Sequence, residues 1–187
     1  MITQAKKTDK NLSTLIVNAI GEIANTLTGE NEKKKILETL DFYISMDINR
    51  LSYNNICTYK VGSELAGLII AYDSNRVNEL DNPMLQHLAS KDIYLDSFDK
   101  ECFIDEFYID TISVFEEFQG RGIAKELFAF IEEKAKALDF DKLSLLVDVE
   151  NLVALSLYKK IGFKKNTILK LSNHEYHHMI KKSVLKV

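Results

Sequence analysis

Apolar residues fall at Leu12, Ile16, Ile20, Ile23 and Leu27, in steps of three and four that mark one face of a helix. Gly29 offers the C-terminal cap, so the spacing predicts a helix ending near Thr28. Asn31 is placed to cap a second helix with Ile36, Leu37, Leu40 and Ile44 on its buried side and acidic Glu32 near its positive end. Both helices are expected to precede any strand. The β-rich runs 56 to 59 and 65 to 72 flank Val-Gly-Ser-Glu, a turn signal that predicts a hairpin. Between Asp73 and Lys100 the pattern is less regular. Asn82-Pro83 predicts the start of a short helix through Met84, Leu85 and Leu88, because proline suits the first helical turn. This stretch is expected to be an insertion covering a cleft.

From Cys102 to Val114 the density of Phe, Ile, Tyr and Val predicts one long strand. A helix from about Gly122 to Leu138 follows, with Ile123, Leu127, Ile131 and Leu138 on one face, and then a short apolar strand from Leu143 to Val147. Asn151 starts another helix that ends at Ile161-Gly162. The runs 163 to 171 and 176 to 184, separated by Ser172-Asn173, predict a terminal hairpin. The order of elements implies an α/β (α+β) fold: a mixed, mostly antiparallel sheet of six or seven strands flanked by helices, with a parallel element where strand, helix and strand alternate.

A length of 187 residues makes one domain over 1–187 the default, and no linker or repeat argues otherwise. Hydrophobic residues at 46% and charged residues at 28% are an ordinary globular balance that excludes disordered and collagen-like chains. No apolar run approaches the roughly 20 residues of a membrane helix. The first ten residues lack the apolar segment of a secretory signal, so a cytoplasmic location is expected. Cys57 and Cys102 are too few for a disulfide framework and are expected to be reduced core thiols. Lys plus Arg total 24 against 28 Asp plus Glu, a net charge of -4, so no global field attracts nucleic acid or an anionic membrane. The same balance mildly favours a cationic partner such as an amine.

The chemistry concentrates in two blocks. Ile112-Ser113-Val114, followed by Gln119-Gly120-Arg121-Gly122-Ile123-Ala124, puts a glycine-bearing turn between a strand and a helix start. Such a turn presents free backbone N–H groups at the positive helix end, which suits a pyrophosphate. Glycine lets the anion reach the backbone, and Arg121 adds charge. About one strand later, Asn151-Leu-Val-Ala154-Leu-Ser-Leu-Tyr158-Lys-Lys-Ile-Gly162-Phe163 has helical spacing that brings Asn151, Ala154 and Tyr158 to one face. Asn can hydrogen-bond an amide-rich tail, Ala leaves room for it, and Tyr supplies a proton.

Together these blocks resemble the GNAT acetyltransferase superfamily, whose acyl-CoA motif Gln/Arg-x-x-Gly-x-Gly/Ala is met by Gln119, Gly122 and Ala124. The resemblance covers about Ile104 to Phe163; elsewhere only the order of elements matches. It implies acetyl-CoA as co-substrate and a primary amine, of a small molecule or a peptide, as acceptor. Backbone groups at Ile112, Ser113 and Val114 would pair with the pantetheine arm. The amides of Gly120, Arg121, Gly122, Ile123, Ala124 and Lys125 would hold the pyrophosphate, with Asn151 and Ala154 along the carrier. The amine would attack the thioester directly, with Val114 N–H as oxyanion donor and Tyr158 as the acid for the departing thiolate. By strand alternation Glu106, Asp110, Ile112 and Val114 share a side. Asp110 is the first candidate for the base, Glu106 the second and Asp148 the third. Homodimers are common in the family, and nothing in the sequence fixes the oligomeric state. A module of this fold that binds acyl-CoA without catalysis is the alternative.

His174-Glu175-Tyr176-His177-His178 matches the letters of the H-E-x-x-H zinc hydrolase motif. That chemistry requires a helix, so that both His meet the metal from one face. In a hairpin His174 and His178 would stand about 13 Å apart, at roughly 3.3 Å per residue, too far for one zinc. No metal is therefore expected, and these His residues are expected to be exposed or to line the acceptor cleft.

Overall fold

The computed structural model describes residues 1–171 and 174–182. In chain order the elements are β1 (Ile2–Gln4), α1 (Leu12–Ile20), α2 (Ile23–Thr28), α3 (Lys33–Ser45), β2 (Ile56–Val61), β3 (Glu64–Asp73), α4 (Val77–Ala89), β4 (Phe107–Val114), α5 (Ile123–Ala137), β5 (Lys142–Asp148), α6 (Leu152–Ile161), β6 (Lys164–Leu171) and β7 (His174–Lys182). The strands form one seven-stranded sheet in the order β1-β2-β3-β4-β5-β7-β6. β4 and β5 run parallel, whereas β1 with β2, β2 with β3, β5 with β7 and β6 with β7 are antiparallel. The mixed, mostly antiparallel sheet with flanking helices is the architecture expected from the element order.

The chain divides into two compact units interleaved in sequence. The first comprises Met1–Ile70, Arg76–Phe98 and Thr111–Leu127. Its helices bury Leu12, Leu15, Ile16, Leu40, Ile44, Leu80, Met84 and Leu88, and its sheet buries Ile56, Leu68, Ile69 and Ile70. The buried Arg50–Asp81 ion pair ties the loop after α3 to α4, with Arg50 Nη2 donating to Asp81 Oδ2 at 2.9 Å. The second unit comprises Ala71–Asn75, Asp99–Asp110 and the chain from Phe128 onward. Its core is Phe107, Ile109, Phe128, Ile131, Leu143, Leu145, Val147, Phe163 and Met179.

Several boundaries differ from the sequence expectation. β1 precedes the helices: three residues paired in register with β2 are too short to leave a periodic signal. The first predicted helix is two, because Gly21 (φ 53, ψ -127) breaks it, and Gly29 then caps α2 as anticipated. Glu32, not Asn31, precedes α3, and Asn31 instead accepts a hydrogen bond from Asn25 Nδ2 at 3.3 Å. α4 starts at Val77, so Pro83 lies inside it and not at its head. Burial of Leu80, Met84 and Leu88 along one face outweighs the missing amide, a cost of about 3 kcal/mol for an interior proline. β4 starts at Phe107 and not at Cys102, since Asp105 takes a positive φ of 61 and Ile104 is exposed. Leu138 lies past the end of α5 and is exposed. Both cysteines are free and buried, as expected. The predicted turn residues Ser172 and Asn173, and Val184 at the predicted end of the last strand, lie outside the described residues. No helix among the described residues is long and apolar enough to cross a membrane.

Candidate active site

In the first unit the end of β4 alternates as the sequence predicts: Thr111 and Ser113 are buried, and Ile112 and Val114 are partly exposed. The chain then makes a short 3-10 turn at Glu116–Phe118, pinned by buried Phe118, and enters the glycine turn. Gly120 and Gly122 have φ of 74 and 83, a region where a side chain costs about 1–2 kcal/mol. A Cβ at either position would meet nothing within 4 Å, so backbone conformation, not crowding, selects glycine here. Glu126 N–H donates to the Gly122 carbonyl at 3.2 Å and closes the first turn of α5. The amides of Gly122, Ile123, Ala124 and Lys125 thus precede the first intrahelical bond, at the positive end of a 15-residue helix. The open space and the unbonded helix start fit an anionic diphosphate.

The flanking side chains of this turn are occupied. Gln119 Nε2 donates to the Val114 carbonyl at 3.0 Å, closing the segment between strand and helix. Arg121 Nη2 donates to the Glu117 carbonyl at 2.8 Å, and its guanidinium lies 5.1 Å from the centre of the Phe118 ring.

In the second unit Asn151 is the N-cap of α6, its Oδ1 accepting the Ala154 amide at 3.0 Å. Tyr158 follows on the helix and meets Phe128 and Phe163 edge-on at 5.5 and 6.3 Å between ring centres. Burial pushes its phenol up to about 12, so it carries its proton throughout the neutral range. Partly exposed Asp110 accepts a hydrogen bond from the Tyr72 hydroxyl at 2.6 Å. The Tyr72 ring meets Tyr108 at 5.7 Å, and the Tyr108 hydroxyl donates to Glu101 at 2.8 Å. Asp148 accepts the Glu150 amide at 2.8 Å and turns the chain into α6.

Glu106, only 3% exposed, lies just before β4 and is tied down on every side. Its N–H donates to Ser74 Oγ at 3.0 Å and its carbonyl accepts from Ser74 N–H at 3.0 Å. Its Oε2 accepts the Phe103 amide at 3.0 Å and lies 3.1 Å from His178 Nε2. Burial pushes its carboxyl up, but the hydrogen bonds from His178 and Phe103 outweigh that and hold it below the usual value.

β7 is extended through the His-Glu-Tyr-His-His segment, so the helical geometry of a zinc hydrolase does not arise. His174 is exposed as expected, but His178 is fully buried and corrects that expectation. Its inward position on an interior strand places it between Glu106 and Asn166, whose Nδ2 lies 3.2 Å from Nδ1, with Phe103 edge-on at 4.9 Å. Asn166 donating to Nδ1 leaves the ring proton on Nε2, directed at Glu106. Among the described residues no group of three or more His, Cys, Asp or Glu side chains is gathered as a metal would require. Sequence reasoning did not single out Tyr72, which donates to Asp110, or Ser74, which bonds the Glu106 backbone, and it did not place His178 against Glu106. Glu106 and His178 are 72 positions apart, and no local pattern links them.

The profile of the Acetyltransferase (GNAT) family matches residues 54–163. A solved acetyltransferase structure superimposes with a TM-score of 0.81 at 30% identity, over 97% of this chain and 98% of that one. An N-acetyltransferase from Staphylococcus aureus Mu50 superimposes with a TM-score of 0.80 at 29% identity, over 96% and 99%. A putative [ribosomal protein bS18]-alanine N-acetyltransferase of Bacillus subtilis is 34% identical over 96 residues, 49% of this chain and 62% of that protein. Across three Bacillus subtilis relatives, the matches span 40% to 62% of the relatives' lengths.

Proposed function

Because the chain belongs to the GNAT acetyltransferase family, we propose that it transfers acetyl from acetyl-CoA to a primary amine of a small molecule or a peptide. The observation that carries this reading is the glycine turn at 120 and 122, with its left-handed backbone and its amides ahead of the first helical bond. On this proposal the amides from Gly120 through Lys125 grip the pyrophosphate. Main-chain groups of Ile112, Ser113 and Val114 pair with the pantetheine arm. Asn151 and Ala154 flank the carrier, and the Asn151 amide nitrogen remains available for it while Oδ1 caps the helix.

The amine attacks once it has lost a proton. Asp110 suits that task better than Glu106, since it is partly exposed whereas Glu106 is buried. Charge developing on the thioester oxygen is met by the Val114 N–H. Tyr158 offers its hydroxyl to the departing sulfur. A peptide N-terminus is one acceptor to test, in view of the bS18-alanine N-acetyltransferase relative. Calorimetry with acetyl-CoA, followed by CoA thiol release across a panel of peptide N-termini, lysine, polyamines and aminoglycosides, tests the reading. No binding of acetyl-CoA by folded protein would end it, and binding without release on any amine would end the catalytic part.

A further inference from the structure

The end of β4 is fixed from two directions. The peptide joining Val114 to Phe115 is held at both its polar ends: Phe115 N–H donates to the Ala66 carbonyl of β3 at 2.9 Å, and the Val114 carbonyl accepts from Gln119 Nε2 at 3.0 Å. The preceding peptide, joining Ser113 to Val114, backs onto Gly67. A Cβ at Gly67 would stand 2.7 Å from the Ser113 carbonyl oxygen, 3.1 Å from Val114 Cγ2 and 3.4 Å from Val114 Cα. Real side chains do not approach a carbonyl that closely, so only glycine lets this peptide lie where it does. Because the Ser113 carbonyl points at β3, the Val114 N–H, trans across the same planar peptide, points away from it. β3 is irregular at this level: Tyr59 pairs with Gly67 but Lys60 pairs with Leu65, so Ala66 bulges. Bulges re-aim the groups beside them, and here the bulged residue supplies the carbonyl that Phe115 uses.

We infer that Gln119 and Gly67 are positioning residues that set the aim of the Val114 N–H. This rests on the proposal that this N–H polarises the thioester carbonyl of acetyl-CoA. Gln119 then acts through the strand and not by touching the carrier: its amide is an exposed side chain spent on a main-chain carbonyl five residues back. Gly67 acts from the opposite edge, where added bulk would push the Ser113 carbonyl and rotate the peptide that carries the donor.

The test reads the donor directly and needs no acceptor. Acetyl-CoA labelled with carbon-13 at the thioester carbonyl is bound to the protein, and the carbonyl stretch is recorded by isotope-edited infrared spectroscopy. Wild type should lower the stretch relative to free acetyl-CoA. Gln119→Met, similar in length without a donor, should lose most of that shift while still binding acetyl-CoA, and Gln119→Arg, which restores N–H donors, should recover it. Gly67→Ala should lose the shift with the turn untouched. Should Gly67→Ala fail to fold, Gln119→Met decides alone, because position 119 is exposed. A wild-type frequency in Gln119→Met overturns the inference. So does a variant whose bound carbonyl is normal but whose acetyl-CoA affinity has collapsed, since Gln119 would then be gripping the carrier. Wild type that binds without any shift removes Val114 as donor, which defeats the underlying mechanism and this inference together.

Discussion

Replacing Tyr158 with phenylalanine removes one hydroxyl and leaves the packing against Phe128 and Phe163 in place. The size of the effect follows from the phenol's acidity. Burial raises it to about 12, whereas a simple thiol lies near 8.5. Complete proton transfer from this phenol to a free thiolate is uphill by about 5 kcal/mol, at about 1.4 kcal/mol per pH unit. On the proposed mechanism the hydroxyl therefore contributes chiefly as a hydrogen-bond donor to sulfur as negative charge gathers there. A hydrogen bond to a charged group contributes about 1.5–3 kcal/mol, so Tyr158→Phe should lower kcat by about 10- to 150-fold, toward the weak end of general-acid effects. Acetyl-CoA affinity should hold, because the bond strengthens only as the thiolate forms. Initial rates of CoA thiol release at saturating acetyl-CoA, with affinity from calorimetry, separate the two. Unchanged turnover would remove Tyr158 from the chemistry, and an affinity loss matching the rate loss would make it a binding residue.

Gly122→Val forces a β-branched side chain toward φ 83, a strain of about 1–2 kcal/mol that should lower the thermal midpoint by a few degrees. A turn that leaves this φ to relieve the strain misaims its amides and should bind acetyl-CoA about tenfold more weakly; undiminished calorimetric affinity would contradict the amide cradle. Asp110→Asn keeps an oxygen for the Tyr72 hydroxyl but cannot take a proton, so turnover should fall by about 100-fold or more, and an unaltered pH–rate profile would dismiss it as base. Glu106 has a folded pKa depressed below its usual 4.5, so its stabilisation is fully present above about pH 4.5 and is lost as pH falls through the folded value. Glu106→Gln keeps one carbonyl oxygen for the Phe103 and His178 N–H groups but removes the charge that strengthens both bonds, and should cost about 2 kcal/mol at neutral pH. Urea melts should also show a flatter loss of stability on acidification in this variant; a parallel pH dependence would refute the depressed pKa.

The parts of the fold legible in the sequence were those whose signal is local and repeated. The stripe of α5, the cap and stripe of α6, and the β2–β3 hairpin were located to within a few residues, because each repeats an apolar spacing between turn residues. β1 escaped because three residues paired with a strand more than fifty positions away carry no period. The start of α4 escaped because burial of Leu80, two residues before the expected Asn82-Pro83 start, overrode the usual place of proline. Both glycines of the turn were readable from the letters alone, since left-handed backbone leaves few other choices. What those letters could not carry was the partner of each side chain: Gln119 on a strand carbonyl and His178 on Glu106 depend on tertiary approach.

That difference bears on the two carboxylates that alternation puts on the same side of the strand. Strand period alone makes Glu106 and Asp110 equivalent, and the structure separates them by their surroundings. Glu106 receives a ring N–H and a main-chain N–H, and its own backbone is doubly bonded to Ser74. A carboxylate held this way is a poor proton acceptor, because taking a proton would break the bonds that lower its pKa. Its chemistry is that of a pin that fastens the 99–106 segment to the start of β4 and to β7. Asp110 keeps partial exposure and a phenolic partner whose hydroxyl can turn as charge leaves the carboxylate. On the proposed mechanism, the amine's proton therefore goes to Asp110, and Glu106 supplies the fixed ground beneath it.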